Sequence, residues 1–259
     1  MKTIAVANQK GGVGKSSVGT HLGQLAHELG LRVLLVDLDP QASFSQSFPE
    51  TGAHEGESSL STALFSEGAT IVPEILANGL SILRGDESLS LLSGENEEGA
   101  KRPARYLRAL SANYDLCIID TPGVLGLNPP MTIAGMIAAD FVVCPFSVGL
   151  YEAAALAKLL EYIGAIRSKG YNPRLKLMGL LPSKINPKSS KELKSLQELR
   201  DQFGAAILPI TLYERVSVKH ALLAHKPVWR GTKGAGHAVA AKEWRAAMEN
   251  ILTNLGVLK

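Results

Sequence analysis

Cysteine is almost missing from this sequence: Cys117 and Cys144 are the only two in 259 residues. Each lies in an apolar run that reads as a buried strand, so two reduced core thiols are expected, not a disulfide or a metal centre. No run of about 18 uncharged apolar residues is present, which argues against a transmembrane helix. The first apolar run begins within two residues of Met1, so no signal peptide is expected. A cytoplasmic protein is the expectation. Linkers, repeats and low-complexity segments are also lacking, so residues 1–259 read as a single domain, long enough to bury a sizeable core.

The charge is small in sum and uneven along the chain. The net is +3, yet residues 1–175 hold 13 Lys and Arg against 18 Asp and Glu, and residues 176–259 hold 14 against 6. A basic final third on a near-neutral chain suits a surface facing a polyanion, or a solvated surface that is merely rich in lysine. The two tryptophans, Trp229 and Trp244, read as packing residues and not as platforms for stacked bases.

Against this background one stretch stands out: Gln9-Lys10-Gly11-Gly12-Val13-Gly14-Lys15-Ser16-Ser17. An apolar strand, Thr3–Ala7, leads into it and a helical segment, Val18–Leu29, follows. Strand, glycine loop and helix turn backbone N–H groups and a helix N-terminus onto one point, the arrangement that cradles a phosphate chain. Lys15 is placed to reach the β- and γ-phosphates and Ser16 to bind Mg²⁺. The general pattern G-x-x-x-x-G-K-[ST] puts its first glycine at residue 9, which here is Gln9, and a second lysine, Lys10, stands just ahead of Gly11.

Two further strands carry acids at their ends. Arg32–Asp37 is an unbroken apolar run of the kind buried on both faces of a parallel sheet. It ends in Asp37-Leu38-Asp39-Pro40-Gln41, at the crevice where such sheets bind ligands. Tyr114–Asp120 ends likewise, in the manner of a Walker B strand, its Asp120 positioned to order the water shell of Mg²⁺. Downstream, strands are expected at Leu80–Leu83, Asp140–Phe146, Leu175–Leu181 and Ala206–Ile210. Helices are expected at Leu60–Phe65, Val72–Ala77, Ala104–Ser111, Tyr151–Lys169, Ser190–Phe203 behind a Ser189–Glu192 capping box, Val216–Ala224 and Ala238–Leu255. Asp86–Ala100 reads as an exposed acidic loop. The alternation implies an α/β protein with one doubly wound, mostly parallel sheet flanked by helices.

The lysine-bearing loop resembles the deviant Walker A motif of the ParA/MinD superfamily of P-loop NTPases. Asp37–Gln41 resembles the switch I of ParA-type partition ATPases, and Tyr114–Gly126 their Walker B strand and switch II. The resemblance covers essentially the whole chain. It implies slow, partner-stimulated ATP hydrolysis with Mg²⁺. ATP would be bound by Lys10, Gly11, Gly12, Val13, Gly14, Lys15, Ser16 and Ser17, and the metal by Ser16 and, through water, by Asp120. Lys10, Lys15 and Asp39 would be the catalytic residues, Asp39 positioning the attacking water and Lys10 crossing an ATP-sandwich homodimer to the partner's nucleotide. Glu152 could lie near the nucleotide or the partner's Lys10, or simply on an exposed helix face. Asn128-Pro129-Pro130-Met131 departs from the family pattern in switch II.

Within that superfamily, the basic final third favours a nucleoid-associated partition ATPase. Its dimer would bind DNA without sequence preference until a centromere-binding, ParB-like protein stimulates hydrolysis. Candidate DNA contacts are Arg215, Lys219, Lys226, Arg230, Lys233, Lys242 and Arg245, with Lys188, Lys191 and Lys194 as a second group. Arg215 and Lys219 would share a face if both were helical. An ATPase that positions a protein cargo on the nucleoid shares every motif. A MinD-like membrane ATPase fits less well, because Asn250–Lys259 carries one cation and a glycine where a basic amphipathic anchor would stand. No membrane partner is expected.

Overall fold

The computed structural model describes residues 1–49, 58–92, 97–125, 130–149, 151–231 and 234–258. The strands are β1 (Lys2–Val6), β2 (Val33–Asp37), β3 (Glu74–Ile75), β4 (Ser81–Leu83), β5 (Leu116–Asp120), β6 (Phe141–Phe146), β7 (Lys176–Ile185) and β8 (Leu212–Tyr213). They form one sheet in the order β3-β4-β2-β5-β1-β6-β7-β8. All pairings are parallel except β3 with β4 at one edge. The helices are α1 (Lys15–Glu28), α2 (Ser43–Gln46), α3 (Glu97–Ala109), α4 (Met131–Ala138), α5 (Glu152–Ser168), α6 (Ser190–Phe203), α7 (Val216–Leu223) and α8 (Ala235–Leu255).

The apolar runs become central strands because both of their faces are covered. Leu34 and Val36 of β2, with Cys117 and Ile119 of β5, pack under α3, α4, α5 and α6. Val33 and Leu35, with Leu116 and Ile118, pack under α1, α7 and α8. This two-residue alternation is the pleat itself, and a one-residue slip would exchange the two cores. Close approach of α1 to β2 requires a missing side chain at Gly23, where a Cβ would stand 2.8 Å from Leu35 Cδ2. Cys117 and Cys144 are free and buried, and burial pushes both thiols far above their usual range. No helix among the described residues is long and apolar enough to cross a membrane.

The expected doubly wound sheet is present, with local differences. Val72–Ala77 is not helical. Gly79 takes a left-handed φ of 88°, the turn closes through Gly79 N to Leu76 O, and Leu76 N donates to Leu80 O. The Asn78-Gly79 pair is a hairpin signal, and it folds β3 back onto β4. Ser61–Phe65 is a 3₁₀ helix. Asp86–Ala100 is not simply an exposed loop: Asp86 caps a 3₁₀ turn over Glu87–Leu91, Leu89 is buried and α3 begins at Glu97. Pro103 sits inside α3, at the cost of one intrahelical hydrogen bond. Ala206–Ile210 is not a strand. Ile207 makes a single bridge to Leu180, Pro209 has no N–H to continue the ladder, and pairing resumes at β8. Ser189 Oγ accepts from Glu192 N at 3.2 Å, but the Glu192 carboxylate accepts from Asn186 N and not from Ser189.

α1 is tied to the final third through His21, which is fully buried. Its Nδ1 lies 2.7 Å from Ser17 O and its Nε2 accepts from Val228 N at 3.2 Å, an arrangement that requires the neutral ring. Burial brings its pKa down to about 4 from 6.5. The folded state therefore binds the proton less well than the unfolded chain. The stability that neutral His21 contributes is complete above pH 6.5 and is lost as pH falls toward 4. Between pH 7 and pH 5 this amounts to about 2 kcal/mol. Urea denaturation of the protein and of His21→Gln at the two pH values should differ by that amount in pH dependence. Parallel pH profiles would show that His21 does not titrate on unfolding.

Candidate functional site

The sheet order decides what meets at its C-terminal edge. β5 lies between β1 and β2, so Asp120 stands in register with Val6 on one side and Asp37 on the other. The loop leaving β1 therefore opens beside two strand-end carboxylates, although 83 residues separate Asp37 from Asp120 in the chain.

The loop is shaped by its own polar residues and by glycine. Asn8 Oδ1 accepts from Lys10 N at 2.9 Å while Asn8 Nδ2 donates to Pro145 O at 2.7 Å, fixing the turn to β6. Gly12 and Gly14 hold φ of 76° and 96°, conformations that a side chain would strain. A Cβ on Gly11 or Gly12 would meet nothing within 4 Å. That open space belongs to a cavity of about 580 Å³, lined by the loop, by Asp39 and by Gly123 and Val124 after β5.

Charge of both signs is buried on the cavity floor. Ser16 Oγ donates to Asp120 Oδ2 at 2.6 Å, and the other oxygen of this fully buried carboxylate has no protein partner among the described residues. Burial pushes Asp120 well above the usual carboxylate range, and Asp37 adds to the effect. Asp37 itself rises to about 6, chiefly through burial. Burial also lowers the Lys15 ammonium, against the pull of Asp120 and Asp39; its Nζ donates to Lys10 O at 3.3 Å. Asp37 acts as a staple: it accepts from Asp39 N at 3.0 Å, from Ser45 N at 2.8 Å and from Ser45 Oγ at 2.7 Å. This holds the segment that puts Asp39 on the cavity wall.

A hydroxyl and a buried carboxylate with one orphaned oxygen make a hard oxygen donor set, which fits a divalent cation such as Mg²⁺. Among the described residues no cluster of three His, Cys, Asp or Glu side chains could hold a metal by itself. A cation here would need oxygens from water or phosphate, and the open glycine loop is shaped for the latter.

Lys10 points away from the cavity floor. Its Nζ is 2.9 Å from Glu152 Oε2, with the Lys10 side chain 45% exposed and Glu152 only 3%. Glu152 is thus no exposed helix position. It opens α5 buried against its own chain's Lys10, and its Oε1 has no partner among the described residues. Sequence reasoning also passed over Lys184, whose Nζ donates to Gly12 O at 2.6 Å. Pro130 stands at the N-cap of α4, while Asn128 and Pro129 lie outside the described residues.

The candidate polyanion contacts do not form one free cluster. Arg215 precedes α7 as its N-cap and donates to Glu243, so it does not share a helical face with Lys219, which pairs with Glu214 at 3.0 Å. Arg230 pairs with Glu28 at 2.6 Å and Arg245 with Glu249 at 2.9 Å. Lys226 and Lys242 are exposed and have no ion pair among the described residues. Lys233 lies outside them. Trp244 is buried against the His21 ring, and Trp229 meets that ring edge-on and donates to Glu28.

Known proteins are similar to this chain in sequence and in fold. The AAA domain family matches residues 1–177. The chain is 32% identical over 270 residues to protein IncC of Escherichia coli, covering 99% of this chain and 71% of IncC. It is 30% identical over 235 residues to the chromosome partitioning protein ParA of Caulobacter vibrioides, covering 88% and 86%. Among solved structures, an ATP complex of a McdA variant from Cyanothece superposes with a TM-score of 0.85 at 20% identity, covering 100% of this chain and 98% of that one. That last likeness is one of fold.

The staple can be tested directly. Ser45 is buried, and its hydroxyl also accepts from Gly85 N at 3.0 Å. Ser45→Ala removes both bonds and leaves Gly85 N–H without its acceptor, which should cost about 2 kcal/mol in urea denaturation. An unchanged midpoint would show that Asp37 does not depend on Ser45.

Proposed function

Because the chain belongs to the ParA-type partition ATPases, we propose that its cavity binds and slowly hydrolyses ATP with Mg²⁺, and that hydrolysis times its hold on DNA. The observation that carries this reading is the Ser16–Asp120 contact of 2.6 Å, with an orphaned carboxylate oxygen beside an open glycine loop. The loop amides and Lys15 hold the phosphates, and Ser16 with Asp120 holds the metal, Asp120 through water. Bound there, the metal neutralises charge on the β- and γ-phosphates. Asp39, fixed through Asp37, orients the attacking water, since phosphoryl transfer needs positioning and charge stabilisation more than covalent help. Burial raises both Asp37 and Asp120 above the usual carboxylate range, so a bound cation there would take the place of a proton.

Lys10 completes the site of a second copy. In this chain Lys10 is held by Glu152, away from the cavity floor, so to act on a partner's nucleotide it must leave that carboxylate. A face-to-face dimer supplies the occasion, and hydrolysis waits for it. The dimer binds DNA without sequence preference through exposed cations of the final third, with Lys226 and Lys242 as the foremost candidates. A ParB-like centromere-binding protein stimulates hydrolysis and release. The apolar face of α8, including Ile251, Leu252 and Leu255, is engaged in the core, which leaves a membrane-anchoring role for that helix without support.

Three sets of substitutions and one vesicle-binding assay test this reading. Lys10→Ala should keep ATP affinity within a few-fold while partner-stimulated turnover falls to the basal rate; stimulated turnover at the normal rate would remove Lys10 from the chemistry. Asp39→Ala should hold the ATP dimer on DNA, and a variant that hydrolyses normally would show that another group positions the water. Lys226→Ala with Lys242→Ala should weaken ATP-dependent binding of random-sequence DNA and, with two cations lost from each protomer, reduce the slope of log K for the dimer against log salt by about 4. Vesicle binding without any ATP-dependent DNA shift would overturn the partition reading as a whole.

A further inference from the structure

Lys184 stands where a lysine is costly. Ser183 pairs with Leu212 and Ile185 with Tyr213, so two steps along β7 match one along β8 and Lys184 is the bulged residue. Its φ is 55°, in the left-handed region, where glycine would be free of strain. Bulges of this kind re-aim a side chain, and they gather beside active sites.

The side chain is re-aimed at the phosphate loop. Lys184 Nζ donates to Gly12 O at 2.6 Å, and its Cε lies 3.7 Å from the Cβ position of Gly14. Lys184 lines the same cavity as Lys15, Ser16 and Asp39. Beside it, Ser183 is 1% exposed, its hydroxyl has no partner among the described residues, and that hydroxyl stands 3.0 Å from the Cβ position of Gly14. No carboxylate pairs with Lys184 among the described residues. One carbonyl uses one of the three ammonium donors. The remaining two, and an uncompensated positive charge, face a cavity built for a polyanion.

We propose that Lys184 is a third lysine of the nucleotide site, contacting the polyphosphate of the bound nucleoside triphosphate from the β7 side while it braces the loop through Gly12. The inference rests on the ATP reading and adds to it a residue outside the loop motif and outside both aspartate strands. It also accounts for the lysine at a left-handed bulge: charge at this point is worth more to binding than the strain costs the fold.

The test uses the full chain with Mg²⁺ and a fluorescent ATP analogue, competed by unlabelled ATP and by inorganic tripolyphosphate. Lys184→Gln keeps an N–H donor and removes the charge. It should weaken ATP and tripolyphosphate alike by about tenfold and flatten the salt dependence of binding, whereas Lys184→Arg should stay within about threefold of the unsubstituted protein. Lys184→Gly should lose the same affinity while melting at or above the unsubstituted protein, because it relieves the backbone. Unchanged affinity in Lys184→Gln would overturn the inference and leave the ATP reading standing. So would a loss for ATP with tripolyphosphate unaffected, which would place Lys184 on the nucleoside. Loss of affinity in the Gly and Gln variants that tracks a fall in melting temperature would reduce Lys184 to a structural brace. Failure of the unsubstituted protein to bind any ATP would fell the nucleotide reading itself.

Discussion

The structure depends on a register. β5 runs between β1 and β2 with Asp120 level with both Val6 and Asp37, and this puts two carboxylates and the Lys15 ammonium together at the sheet edge. Such a group is stable only where the charges offset one another or a bound ion completes them, because burial raises both acids and lowers the lysine. The two hydrophobic layers are what hold the register: slipping any central strand by one residue would move its apolar side chains to the wrong face. Packing far from the cavity therefore fixes the ionic geometry inside it.

Much of this was legible because its causes are local. Glycine at Gly12 and Gly14, acids at strand ends and unbroken apolar runs each state a backbone need or a burial pattern that one sequence can display. What stayed hidden depended on tertiary partners. The Asn78-Gly79 turn is written in the sequence, but the apolar residues Val72, Ile75 and Leu76 around it also suit a helix, and pairing with β4 decides the matter. The burial of Glu152 follows from where Lys10 lies, 142 residues away. The left-handed backbone of Lys184 has no compositional mark at all, since glycine, not lysine, announces such a position.

The basic final third shows the same limit in another form. Counting charges predicts a polyanion-facing surface, yet Arg215, Lys219, Arg230 and Arg245 each have a carboxylate within reach. The more exposed pairs, those of Lys219, Arg230 and Arg245, contribute about 0–1 kcal/mol each, so a phosphate could displace them at modest cost; the half-buried, two-bond Arg215–Glu243 pair is held more firmly, and Lys226 and Lys242 need displace nothing. Glu28 at the end of α1 accepts from both Trp229 and Arg230, and His21, about two turns earlier on the same face, accepts from Val228. The helix that opens with Lys15 and Ser16 thus also holds the basic segment, and a shift of α1 would be felt at both ends.

Backbone strain marks the same place as the chemistry. Among the described residues three besides glycine have a left-handed φ: Ala42, Lys184 and His225. Ala42 closes the turn after Asp39, donating to Asp39 O at 2.9 Å, and Lys184 reaches Gly12. Lys184 lines the cavity and Ala42 stands between two residues that do, Gln41 and Ser43, on segments that the loop motif does not include. Strain of order 1 kcal/mol or more at each persists only where the surrounding contacts overdetermine it. Here those contacts are the Asp37–Ser45 staple on one side and the β7–β8 bulge on the other. The loop between them has Gly11 and Gly12 open to space on its cavity side, so the fixed walls, more than the loop itself, set where Asp39 and the third lysine stand relative to a bound polyphosphate.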